Sequence, residues 1–108
     1  MPKDYLASIR ALCDEHDILL MFDEVQSGVG RTGSLFAYQQ LGVTPDLLAS
    51  AKGLGGGIPI GACLATASVA APMTAGSRGS TFRGNPPATA FGNPPVDELL
   101  MDGFMLNV

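Results

Sequence analysis

The stretch "ILLMFDEV" (residues 18–25) is a continuous apolar run that ends in two acids. Such a run predicts a strand buried on both faces of a parallel sheet, because a strand with one face in water would alternate instead. Upstream, residues 4–16 place Tyr5, Leu6, Ile9, Leu12 and Cys13 at helical spacing, with Asp4 in the N-cap position. Downstream, "SGVGRTGS" (27–34) reads as a glycine-rich loop, and "LFAYQQLG" (35–42) as a short helix closed by Gly42, with Pro45 just beyond. "DLLASAK" (46–52) is a second buried strand, "GLGGGIP" a second loop, and "IGACLAT" (60–66) a third strand. Strand, helix and strand joined by short loops form a parallel crossover, so the class is α/β.

Composition narrows the function. The chain has 108 residues, 46% hydrophobic and only 15% charged, which calls for burial inside a larger protein or at a subunit interface. A net charge of −4 with no basic run argues against a nucleic-acid partner. No apolar stretch approaches the roughly 18 residues of a membrane span. The opening "MPKDYLASIRALCDEHD" has no long apolar core of the signal-peptide kind, so a cytoplasmic location is expected. Cys13 and Cys63 lack metal-ligand spacing, and the expectation is two buried, reduced thiols. Past residue 75, "GNPPATAFGNPPVDELLMDGF" carries two Pro-Pro pairs. Pro86 can open a helix, but Pro94 and Pro95 inside one would each cost about 3 kcal/mol, so a broken or kinked helix or a loose tail is expected.

Two phosphate motifs fail on context. "GVGRTG" (28–33) matches G-x-G-x-x-G, but "DEVQS" separates it from the strand end, and the next strand ends in Lys52 rather than an acid. In "AKGLGGG" the lysine precedes the glycines, whereas a phosphate-binding P-loop needs it after them.

Asp23 and Lys52 carry more information. Both fall at the carboxyl ends of consecutive strands, where open α/β sheets bind ligands, and neighbouring strands lie about 4.8 Å apart. A buried salt bridge is the structural reading of such a pair. The chemical reading is a lysine whose pKa is lowered by an apolar pocket, able to form a Schiff base. The glycines at 53, 55, 56 and 57 would let backbone approach a flat ligand closely. Pyridoxal phosphate needs both groups: an amine for its aldehyde, and a carboxylate to keep its ring nitrogen protonated.

"LLMFDEVQSGVGRTGSLFAYQQLGVTPDLLASAKGLGGGIPIGACLAT" closely resembles the class III aminotransferases, pyridoxal-phosphate enzymes of fold type I. The likeness runs from about Tyr5 to Pro86, and D-E-V-Q with A-K-G-x-G-G-G is highly specific. It implies a piece of the large cofactor-binding domain, a mainly parallel sheet with helices on both faces, covering residues 1–108. The family's N-terminal half and C-terminal small domain would be absent, and the isolated piece inactive. It implies Lys52 as the Schiff-base and proton-transfer lysine, Asp23 at the pyridinium nitrogen, Val25 against the ring, and Gln26 near the phenolic oxygen. Thr81, helped by Ser80, would bind the cofactor phosphate of a partner subunit in a homodimer. The implied reaction takes an amino group from N-acetylornithine or a similar ω-amino donor to 2-oxoglutarate, in arginine biosynthesis. Ornithine or 4-aminobutyrate transamination, dialkylglycine decarboxylation and aminomutase chemistry are the alternatives on the same scaffold. For Arg31 a buried structural ion pair is expected ahead of substrate binding. Arg83 stands where the family has glycine, which implies either a strained φ > 0 backbone or an added positive charge near the phosphate.

Overall fold

The computed structural model describes residues 4–77 and 79–108. In chain order it contains α1 (Tyr5–Glu15), β1 (Met21–Asp23), α2 (Tyr38–Leu41), β2 (Leu47–Ser50), a 3₁₀ turn (Lys52–Gly55), β3 (Ala62–Ala65), α3 (Ala67–Ala70), α4 (Pro86–Leu99) and a closing 3₁₀ turn (Phe104–Asn107). The strands lie in the order β1-β2-β3. β1 pairs with β2 in parallel, Met21 opposite Leu47 and Asp23 opposite Ala49, as the crossover through α2 requires.

β3 departs from the expected parallel arrangement. It runs antiparallel to β2, with Ser50 opposite Ala62 and Leu47 opposite Ala65, so the sheet is mixed. Residues 51–61 hold only a 3₁₀ turn between the two strands. A parallel return needs a dozen or more residues, usually with a helix, so the chain can only turn back.

Burial is also thinner than expected. Leu20, Val43 and Leu48 are the buried apolar residues, while Ile18, Leu19 and Met21 are each more than half exposed. The molecule measures 42 × 42 × 19 Å, with a radius of gyration of 15.5 Å. A compact domain of this length would have roughly 13 Å. It is therefore a slab, and neither face of β1 is sealed by these residues. The thiols behave likewise: Cys13 is half-buried and Cys63 exposed, both free, against the expectation of two buried ones.

α1 presents Leu6, Ile9, Arg10 and Cys13 inward, while Tyr5 and Leu12 stay half exposed. Asp4 caps it without its carboxylate: its carbonyl accepts from the Ser8 amide and hydroxyl. Arg10 reaches from α1 to Asp46, at 2.7 Å, and the same carboxylate oxygen accepts from the Leu20 amide at 2.8 Å. Asp46 thus ties α1 and the start of β1 to the start of β2. The Arg10 bond, then the Leu20 bond, hold the Asp46 carboxyl below its ordinary range.

α4 differs from the expectation of a broken helix. It runs unbroken through Pro94 and Pro95. Its start is well specified, since the Asn85 side chain accepts from the Ala88 amide and Pro86 and Pro87 occupy positions whose amides have no helical partner. The later prolines fit because α4 lies against the glycine loop. A side chain at Gly56 would begin 2.7 Å from Pro95 Cγ, and one at Gly92 3.1 Å from the Leu54 carbonyl oxygen.

A carboxylate with a lowered pKa stabilises the fold above its unfolded value, and that contribution disappears as pH falls through the folded one. Asp46→Ala in the full-length protein should therefore lower the melting temperature at neutral pH. It should also flatten the loss of stability on acidification below about pH 4. Identical thermal and acid profiles for parent and variant would reduce this contact to surface decoration.

Candidate active site

The two parallel strands end in step, and the loops leaving them build the site. Successive strand residues point to opposite faces, so Asp23 and Glu24 diverge. Asp23 is exposed, and its Oδ1 accepts from the Val25 amide at 3.0 Å, which leaves Oδ2 open. Glu24 is buried, at 3% exposure, and its amide donates to the Ala49 carbonyl, extending the ladder with β2 by one bond. Its carboxylate accepts from the Ala37 amide at 2.7 Å, the Tyr38 amide at 2.8 Å and the Ser27 hydroxyl at 3.4 Å. Glu24 therefore anchors both ends of the loop before α2 to the end of β1. Glu24 is the second residue of the D-E-V-Q motif, but the motif by itself assigns it no role; an acid next to an outward-facing Asp23 has the inward position by alternation alone.

Lys52 lies just past β2, in the first position of the 3₁₀ turn, with the left-handed φ of 50°. Its ammonium donates to the Gln26 side-chain oxygen. This contact joins the two strand ends across the site. The expected apolar pocket around Lys52 is not present: the lysine is exposed, as are Asp23 and Gln26. Nor do Asp23 and Lys52 form the buried salt bridge that was the structural alternative; among the described residues the ion pairs are Arg10–Asp14 and Arg10–Asp46. Both charges stand open to a ligand.

Three of the four glycines after Lys52 face the protein's own packing, while a side chain at Gly57 would meet open space. A side chain at Gly55 would begin 2.8 Å from Ile60 Cγ2, and Gly56 faces Pro95. Gly53 faces Val29, which itself adopts φ 54°. A non-glycine residue held there costs of order 1–3 kcal/mol, and a β-branched one is a true outlier. The site thus concentrates backbone strain at Val29 and Lys52.

Val25 is half-buried in the turn after β1. Ser80 and Thr81 are exposed, beyond β3, and make no side-chain hydrogen bond to Asp23, Gln26 or Lys52 among the described residues. Ser80 and Arg83 line an open cleft between Ile60–Cys63 and the first turn of α4. Arg31 is exposed and forms no ion pair among the described residues, which overturns its expected buried pairing. Arg83 is absent from the positive-φ residues, so it carries no left-handed strain; the neighbouring Gly84 takes φ 67° instead.

An exposed carboxylate at the end of β1 and an exposed lysine amine just past the end of its parallel neighbour β2, the amine held by a carboxamide from the β1 loop, form a set suited to a carbonyl-bearing heteroaromatic cofactor. The chain belongs to the class-III aminotransferase family, which it matches over residues 1–108. Among curated relatives, it is 61% identical over 106 residues to the acetylornithine aminotransferase of Agrobacterium fabrum, covering 98% of this chain and 27% of that one. It is also 61% identical over 88 residues to the succinylornithine transaminase of Citrobacter koseri, covering 82% of this chain and 22% of that protein. The solved N-acetylornithine aminotransferase of Stenotrophomonas maltophilia superposes with a TM-score of 0.80 at 43% identity, over 96% of this chain and 26% of that one. The chain spans about a quarter of the length of these relatives. Class III aminotransferases use pyridoxal phosphate, and the groups present fit it: an exposed amine held by an amide side chain, and an exposed carboxylate with one oxygen unbonded, at the ends of neighbouring parallel strands.

Glu24→Ala would leave the part-buried Ala37 and Tyr38 amides without their acceptor. It should destabilise the full-length protein by about 2–4 kcal/mol in denaturant unfolding. Glu24→Gln, which keeps one acceptor oxygen, should lose no more than about half of that. Equal losses for the two variants would mean that volume, not hydrogen bonding, is what Glu24 supplies.

Proposed function

We propose that the protein to which these residues belong is a pyridoxal-phosphate transaminase. It takes the amino group of N-acetylornithine, or a similar ω-amino donor, to 2-oxoglutarate in arginine biosynthesis. It works as a cytoplasmic homodimer. The observation that carries this reading is the Gln26–Lys52 contact beside the open Asp23 carboxylate, in a chain so similar to acetylornithine aminotransferases.

The residues divide the work. Lys52 Nζ attaches the cofactor through its aldehyde carbon, and Asp23 Oδ2 holds the proton on the ring nitrogen. Val25 lies against the ring and Gln26 near the phenolic oxygen. Ser80 and Thr81 serve the phosphate in the partner subunit's site. When bound, pyridoxal phosphate supplies an electron sink for the electrons left at the amine-bearing carbon. Lys52 Nζ would serve as the base that takes the proton from the amine-bearing carbon and as the acid that gives it back. The Val25 amide bonds Asp23 Oδ1, which favours one orientation of the carboxylate. The 108 residues alone do not turn over, because the exposed lysine needs surrounding protein to exclude water.

A second reading has a specific observation behind it. Identity to a succinylornithine transaminase matches that to an acetylornithine aminotransferase, at 61%. The donor would then be another N-acylated ornithine. A donor screen on the full-length protein separates the two.

Borohydride reduction of the full-length protein with pyridoxal phosphate should place the label on Lys52. Label on Lys3, which lies outside the described residues, or on no lysine would refute the assignment. Asp23→Asn should still bind the cofactor while kcat falls about 100-fold or more, since the ring nitrogen loses its ionic partner. An unchanged kcat would make Asp23 a structural residue.

A further inference from the structure

We propose that Val29 is a positioning residue for Lys52, holding the lysine's backbone in its left-handed conformation from across the site. This rests on Lys52 being the cofactor lysine.

Val29 is itself left-handed, at φ 54°, and its neighbours show what keeps it so. Gly28 is buried and donates to the Glu24 carbonyl at 3.0 Å, and a side chain there would begin 2.7 Å from that same oxygen. Gly30 is buried too, and a side chain there would begin 2.5 Å from Leu99 Cδ2 on α4. Val29 is therefore clamped from both sides, through Glu24 to β1 and through Leu99 to α4. Its branched side chain then rests on Gly53, the residue after Lys52: a side chain there would begin 3.4 Å from both Val29 Cβ and Cγ1. On the far side of the 3₁₀ turn, Gly56 and the Leu54 carbonyl meet α4. The turn is thus gripped between Val29 and α4, and Lys52 at its head keeps φ 50° without a glycine's freedom. The strain at Val29 and the strain at Lys52 belong to one packed unit, and such strain persists only where the surroundings over-determine it. Branching at Cβ is what the contact uses, so threonine should replace valine there and glycine should not.

The test uses the full-length protein freed of cofactor, as parent, Val29→Gly and Val29→Thr. Two reactions of Lys52 are followed by mass spectrometry. One is capture of pyridoxal phosphate, trapped by borohydride. The other is reductive methylation by formaldehyde and cyanoborohydride, which needs an amine but no particular orientation. Val29→Gly should slow cofactor capture about tenfold while methylation stays within about twofold, because only geometry has been lost. Val29→Thr should match the parent in both. Hydrogen exchange of the 51–57 amides should rise in Val29→Gly alone. Capture at the parent rate in Val29→Gly, or equal slowing in Val29→Thr, overturns the proposal. A parent that captures no cofactor on Lys52 refutes instead the assignment of Lys52 on which it stands. If Val29→Gly fails to fold, Val29→Thr still decides, since slowed capture by a folded threonine variant contradicts a role for branching.

Discussion

Because Asp23 lies opposite Ala49, the two parallel strands leave the sheet side by side, with Gln26 three residues beyond the first of these and Lys52 three residues beyond the second. That register brings the carboxamide to the ammonium, while the Asp23 carboxylate at the end of β1 stays exposed. A one-residue slip would swap the faces of Asp23 and Glu24, burying the wrong acid. Two devices prevent it. Asp46 fastens the start of the pair through Arg10 and the Leu20 amide, and Glu24 fastens its end through the Ala37 and Tyr38 amides. The position of Lys52 relative to β1 follows from this double fastening as well as from its own contact with Gln26.

The two parallel strands, α1, and the Gly42 end of α2 are readable in the sequence, because each rests on local pattern: an unbroken apolar run, helical spacing, and a left-handed glycine at φ 67°. Asp23, Gln26 and Lys52 can be named for the same reason, since a resemblance copies residues in order. What cannot be read depends on neighbours distant in the chain. The direction of β3 is set by loop length rather than by strand composition. The passage of α4 through Pro94 and Pro95 depends on glycines some forty residues earlier, which only the fold brings against it. Glu24 and Val29 both sit inside motifs, D-E-V-Q and G-x-G-x-x-G, yet the letters do not show that Glu24 binds the Ala37 and Tyr38 amides or that Val29 faces Gly53, because those partners are distant in the chain.

Composition overstates burial for a related reason. Hydrophobicity reports the burial a segment requires, while these residues form a slab 19 Å thick with few fully covered positions. The apolar pocket expected at Lys52, the buried thiols and the sealed strand β1 all presuppose material on both faces of that slab. The polar arrangements survive without it, because hydrogen bonds such as those of Glu24 and Asp46 are completed within the slab.

The fit of Pro95 against Gly56 constrains how this chain can diverge. With φ 56° and a proline ring 2.7 Å from where a side chain would start, position 56 admits no replacement while α4 stays in place. Released from that ring, the helix could drift and position 56 would still demand a left-handed turn. Loss of the proline therefore leaves the glycine's turn intact, whereas loss of the glycine meets both the strained turn and the ring.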